Sequence, residues 1–233
     1  MIRRLKLDWP AGVQRKESDQ ACLRLLAVSD EPDRALGFER NRELIGHVDA
    51  VIGCGDLEPD YLAFLADAFC VPLLYVRGNH DRGANWENTN VALPTAISGR
   101  HERLAGATVV GLSWPGNEDQ PRALRDDMAA WRQAARVGLM PRRDGPVIVI
   151  SHVPPLGLGD SPEDVYHRGF AGYQWLCRRL HPMLWLHGHT SLAAAREWRV
   201  QWGETTFVNV TGAVLVEIGN GSETTLTSVH PER

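Results

Sequence analysis

Ser29-Asp30, Gly55-Asp56, Gly78-Asn79-His80-Asp81, Ser151-His152 and Gly188-His189 each follow directly on a short apolar run. Carboxylate and amide oxygens combined with imidazole nitrogens form a donor set for divalent transition metals. Taken singly, each group has an ordinary explanation. Asp30 reads as a helix cap with Pro32 in the first turn, and the Gly-Asp and Gly-Asn-His-Asp groups read as turn chemistry. His152 or His189 alone reads as a hydrogen-bonded core histidine. Recurrence of all five in order at equivalent positions is what turn chemistry does not supply, and it points to one joint site.

The runs that would position them begin at Leu23, Val48, Val71, Pro146 and Met183, and their continuous apolar character predicts strands buried on both faces. Helical spacing lies between them. Tyr61, Leu62, Leu65 and Phe69 share a face behind Pro59; Leu124, Met128, Trp131 and Ala135 share another between Pro121 and Gly138; Phe170, Tyr173, Leu176 and Leu180 share a third. Strand alternating with helix predicts an α/β layered protein. Parallel strands would then bring the five polar ends to one sheet edge, where open α/β sheets place their sites. A hairpin around Ala105-Gly106 and three short antiparallel strands from Thr205 onward predict a second sheet.

Composition narrows the function classes. The chain has 233 residues, 43% of them hydrophobic and 23% charged, and a formal net charge of -4, so its overall field does not favour sequence-independent binding to nucleic acid or to an anionic membrane. No stretch approaches the roughly 20 apolar residues of a membrane span, and no signal peptide is evident. Four dispersed cysteines read as buried thiols of a reducing compartment, and a cytoplasmic location is the expectation. Residues 1–20 read as a polar N-terminal extension, and residues 21–233 as a single domain. "SWPGNEDQP" is a second polar surface stretch.

The motif series resembles that of the calcineurin-like metallophosphoesterases: Asp-x-His, Gly-Asp, Gly-Asn-His-Asp or Glu, His, and Gly-His-x-His. The "SDEPD", "HRGF" and "FVNVTG" stretches look most like the Icc-related branch. The resemblance covers about residues 23 to 220 and implies a four-layer α/β/β/α sandwich of two mixed sheets. It implies hydrolysis of a phosphomonoester or phosphodiester by a metal-activated water. By the same resemblance Asp56 would bridge two metals, and Asn79, His152 and His189 would complete the second metal's shell. His80 would sit beside the phosphate, with Asp81 orienting its ring.

The first metal's shell departs from the family. Asp30 and Asp56 remain, but Pro32 and Ser191 stand where the resemblance calls for histidines. Asp33, at i, i+3 from Asp30, and His187, on the same side of an extended strand as His189, are the candidate replacement ligands. Glu31 reads as a helix-start charge. His167 and Arg168 are candidate substrate-phosphate contacts. The expected cofactor is one or two divalent cations per chain, with Mn(II) favoured by an oxygen-rich first site and Fe, Zn or Mg as alternatives. The expected partner is a small phosphoester, with a nucleotide among the candidates. A phosphoesterase-fold scaffold without turnover and a nucleotide-binding protein are the competing readings, and the oligomeric state is not legible.

Overall fold

A computed structural model describes residues 2–10, 22–115, 124–141, 145–193 and 197–219. Two mixed β-sheets pack face to face. The first has the order β1 (Arg3–Asp8), β11 (Gly212–Gly219), β2 (Cys22–Ser29), β3 (Ala50–Gly53), β4 (Leu73–Tyr75). The second runs β5 (Arg100–Leu104), β6 (Ala107–Leu112), β7 (Val147–Ser151), β8 (Leu184–His187), β10 (Thr205–Asn209), β9 (Arg199–Trp202). β2, β3 and β4 are mutually parallel, as are β6, β7, β8 and β10.

Alternation along the strands builds four layers. In β2, Leu25 and Ala27 enter the core between the sheets, whereas Leu26 and Val28 face the helical layer. In β7, Ile148 and Ile150 point between the sheets and Val149 points to the opposite helices. The outer layers include α1 (Glu39–Ile45), α2 (Pro59–Phe69) and the short α3 (Ala84–Glu87) on the first sheet, and α4 (Asp127–Gly138) and α5 (Ala171–Leu180) on the second. The fold is the four-layer α/β/β/α sandwich expected from the sequence.

Three expectations are corrected. Arg3–Asp8, assigned by sequence to an extension over 1–20, is an edge strand parallel to β11. Leu5 is buried and Leu7 packs beside it, and this short apolar alternation is hidden among charged residues that suit a sheet edge. β10 and β11 do not form a local antiparallel meander. They belong to different sheets, β10 parallel to β8 and β11 antiparallel to β2, and the third strand expected after them lies outside the described residues.

The third correction concerns α4, which buries Ala130, Ala134 and Val137, while Leu124 (67%) and Met128 (61%) are exposed. Small residues on the inner face let this helix pack closely on its neighbours, and Trp131 lies over Gly172 of α5. Pro121 lies outside the described residues, and the helix is started instead by Asp126, whose carboxylate accepts from the Ala129 N–H at 2.8 Å. Among the described residues, no helix is long and apolar enough to cross a membrane.

Candidate metal centre

The parallel strands deliver Asp30, Asp56, Asn79, His152 and His189 to one edge of the sandwich. Three of these, Asp30 (φ 59°), Asp56 (φ 57°) and His189 (φ 66°), are in the left-handed conformation just past their strands. Such geometry costs about 1–3 kcal/mol per residue unless the surroundings enforce it, and it turns each side chain back across the sheet edge. Two glycines allow the ends to converge. A Cβ on Gly78 would stand 2.1 Å from Asp56 Oδ1, and one on Gly188 would stand 2.0 Å from Ser29 Oγ and 2.2 Å from Asp30 Oδ2.

Ligand atoms of Asp56, His152 and His189 all lie within 4.8 Å of one another. His152 Nε2 is 2.9 Å from Asn79 Oδ1, 3.2 Å from Asp56 Oδ2 and 3.2 Å from His189 Nδ1. The opposite ring nitrogens are tied outward: His152 Nδ1 to the Cys54 carbonyl at 2.9 Å, and His189 Nε2 to the Tyr166 carbonyl at 3.2 Å. A carbonyl only accepts, so both rings donate outward and turn the remaining nitrogen inward. Two inward lone pairs, a carboxylate and an amide oxygen require a positive charge between them. This donor set fits a divalent cation.

The titration behaviour has the same origin. For Asp56, burial works upward, but the adjacent His152 outweighs it and holds the carboxyl below its usual range. For His152, burial works downward, yet Asp56 prevails and pushes the imidazole up to about 9. Burial, reinforced by His152, drives His189 down to about 3. One proton on His152 thus serves the buried cluster in the absence of a cation, and His189 keeps its lone pair.

Asp81 does not orient His80. Its carboxylate accepts from the backbone N–H of Gly78 (2.6 Å), Asp56 (2.8 Å) and Leu57 (3.1 Å), so it fastens the β4 loop to the β3 loop. Burial nevertheless pushes its pKa up to about 6. His80 is exposed at the mouth of the cleft, and its backbone N–H donates to Asp56 Oδ1 at 2.8 Å.

Neither candidate replacement ligand reaches the first-metal position. Asp33 caps a short 3-10 helix, accepting from Ala35 N at 2.8 Å, and does not line the cleft. His187 is buried, donates from Nδ1 to the Gly188 carbonyl at 3.1 Å and turns Nε2 toward Gly159. It is a core histidine, held down to about 4 by burial. Asp30 accepts from the His189 backbone N–H at 3.1 and 3.0 Å and from the Thr211 hydroxyl at 3.3 Å. Around it the cleft is lined with oxygen: Glu31, Thr190, Ser191 and Thr211. Glu31 is therefore a cleft residue and not a helix-start charge.

The cleft measures about 540 Å³ and is closed on one side by Ser161, Asp164, Tyr166 and His167. His167 is present there as anticipated, its Nδ1 bonded to Asp164 Oδ2 at 2.5 Å and its ring 4.9 Å from that of His189. Arg168 is not among the lining residues; its backbone carbonyl accepts from Arg125. Sequence reasoning missed Tyr166, which directly precedes "HRGF", and Thr211, which lies within "FVNVTG". An aromatic residue in the polar "EDVYHRGF" loop was the available signal. Trp114 is buried with its ring 5.2 Å from that of His189, and Trp86 belongs to the core.

Two mixed sheets with helices on both outer faces and a His/Asp/Asn cage at the shared strand edge define a metallophosphoesterase fold. The chain belongs to the calcineurin-like phosphoesterase family, whose model matches residues 24–191. Among solved structures it is similar to TT1561 of Thermus thermophilus, at 20% identity and TM-score 0.56 over 82% of this chain and 89% of that one. It is also similar to a dimetal phosphatase of Danio rerio, at 12% identity and TM-score 0.52 over 82% and 87%. These likenesses concern the fold. No curated protein matches the chain significantly in sequence.

Proposed function

We propose that the protein hydrolyses a small phosphomonoester or phosphodiester, holding one divalent cation tightly between Asp56, Asn79, His152 and His189 and offering a weaker, oxygen-lined position beside Asp30. The observation that carries this reading is the pair of ring nitrogens, His152 Nε2 and His189 Nδ1, facing each other at 3.2 Å while both outer nitrogens donate to carbonyls. When bound, the cation supplies Lewis acidity and lowers the pKa of a water. His80, exposed at the mouth, is placed to give a proton to the leaving oxygen. His167, tethered through Nδ1 to Asp164, has Nε2 left for a phosphoryl oxygen. A cleft of about 540 Å³ suits a substrate of nucleotide size. Mn(II) matches a mixed oxygen and imidazole cage beside an oxygen-rich neighbour, and Fe, Zn and Mg are the competitors.

The single tight site rests on Asp30, whose carboxylate is engaged by the His189 N–H and the Thr211 hydroxyl, and on Pro32 and Ser191, which bring no imidazole to that position. The test is hydrolysis of p-nitrophenyl phosphate and bis-p-nitrophenyl phosphate by Mn(II)-loaded protein, with elemental analysis of the dialysed sample. Turnover abolished by Asp56→Asn, together with one retained metal per chain, is expected. No turnover above that variant overturns the hydrolase reading, and two retained metals overturn the single tight site.

A further inference from the structure

Tyr166 touches two residues of the cage. Its carbonyl accepts from His189 Nε2 at 3.2 Å, and its phenol oxygen accepts from Asn79 Nδ2 at 3.1 Å. The second contact has a particular consequence. The two ends of an amide are nearly identical in shape, so packing alone does not decide whether oxygen or NH2 faces the cage. With Nδ2 donating to the phenol oxygen on the outer side, Oδ1 points inward, where it lies 2.9 Å from His152 Nε2. Rotated by half a turn, the amide would aim N–H dipoles at the cation.

Tyr166 is carried by the segment between β7 and α5, which is joined at its neck by Leu156 N to Phe170 O and Phe170 N to Pro154 O, both 3.2 Å. Inside the segment, Asp160 accepts from Gly169 N at 2.8 Å and Asp164 accepts from Tyr166 N at 2.9 Å. From outside, Arg125 donates to the Arg168 and Gly169 carbonyls. The segment therefore has its own hydrogen-bonded shape and meets the cage at one residue that supplies both an acceptor carbonyl and an acceptor phenol.

We propose that Tyr166 is a positioning residue for the cation cage, setting the orientation of the Asn79 amide and the outward hydrogen bond of His189, so that cation binding and closure of the 156–169 segment favour each other. This rests on the cation reading of the site. Linkage is reciprocal: whatever the closed segment adds to cation affinity, the cation returns to the closed segment.

The test is a double-mutant cycle read by Mn(II) titration of the full chain. Tyr166→Phe keeps the ring and removes the acceptor oxygen, and it is expected to weaken Mn(II) binding by about 10–100-fold, the usual cost of losing a partner that orients a ligand. In an Asn79→Asp background both ends of the side chain are oxygen and no orientation needs setting, so Tyr166→Phe is expected to change affinity less than about 2-fold, well below that range. Hydrogen exchange supplies a second readout: Mn(II) should slow exchange of backbone amides in 156–169 in the wild type and do so less in Tyr166→Phe. An equal penalty in both backgrounds, or undiminished affinity in Tyr166→Phe, overturns the positioning role while leaving the cage intact. A wild-type chain that binds no Mn(II) overturns both the cage reading and this one.

Discussion

His152 Nε2 and His189 Nδ1 face each other at 3.2 Å, and the far nitrogen of each ring donates to a backbone carbonyl. Neither ring can turn away without giving up its carbonyl acceptor, so both inward nitrogens are held in place before any cation arrives, His152 Nε2 sharing the cluster's proton and His189 Nδ1 keeping its lone pair. This preorganisation is assembled from separate parts of the chain: the Cys54 carbonyl after β3 fixes one ring and the Tyr166 carbonyl before α5 fixes the other.

The raised pKa of His152 should depend on Asp56. Burial alone would push this imidazole down, and the carboxylate 3.2 Å away reverses the sign. Asp56→Asn is therefore expected to drop the His152 pKa from about 9 to well below the ordinary histidine value, measured by nitrogen NMR titration of the cation-free protein. A pKa that stays near its starting value would assign the effect to another group.

Gly188→Ala should act as a wedge between the sheets' strand ends. The added methyl would meet Ser29 Oγ and Asp30 Oδ2 at distances far inside contact, and the loops after β2 and β8 would have to separate. A loss of about 1–3 kcal/mol is expected from urea unfolding, as for overpacking of a tight site. Unchanged stability would show that these loops yield freely.

His187 should contribute to acid sensitivity. Its native pKa of about 4 lies below the ordinary 6.5, so between these values the unfolded chain binds a proton that the folded chain refuses. Its contribution to stability is complete above about pH 6.5 and declines as pH falls toward 4, by about 3 kcal/mol. His187→Leu should flatten this limb in urea unfolding of chelator-treated protein, with His189 supplying the part that persists. An equally steep limb in the variant would rule His187 out as a source.

The two faces of α4 should respond oppositely to substitution. Met128→Glu, on the exposed face, is expected to alter stability by no more than about 0.5 kcal/mol. Ala134→Leu, on the fully buried face, should cost about 1–3 kcal/mol through overpacking. The comparison is made by thermal unfolding, and the reverse ranking would restore the face suggested by the helical spacing.

Much of the architecture was legible because fully buried strands need continuous apolar residues. The runs at Leu23, Val48, Val71, Pro146 and Met183 contain β2, β3, β4, β7 and β8. The inner face of α4 was not legible, since Ala130 and Ala134 carry too little apolar surface to compete with Leu124 and Met128 in a periodicity reading. Nor was β1, where charged residues outnumber the apolar positions. Parallel strand direction follows from alternation with helices, so the sharing of one edge by Asp30, Asp56, Asn79, His152 and His189 could be anticipated from order alone.

By itself, the sequence determined the layered fold, the residues at the strand ends and the absence of histidine at positions 32 and 191. Tertiary structure decided which neighbours those residues meet. It turned Asp81 to three backbone N–H groups rather than to His80, spent Asp33 on a helix cap and buried His187 behind Gly159. It also brought Tyr166 onto Asn79 and His189, contacts that span 87 and 23 residues of chain. The physical reason is range. Hydrophobic periodicity is a local signal repeated every two to four residues, whereas a hydrogen bond between loops depends on where the whole backbone places a single atom.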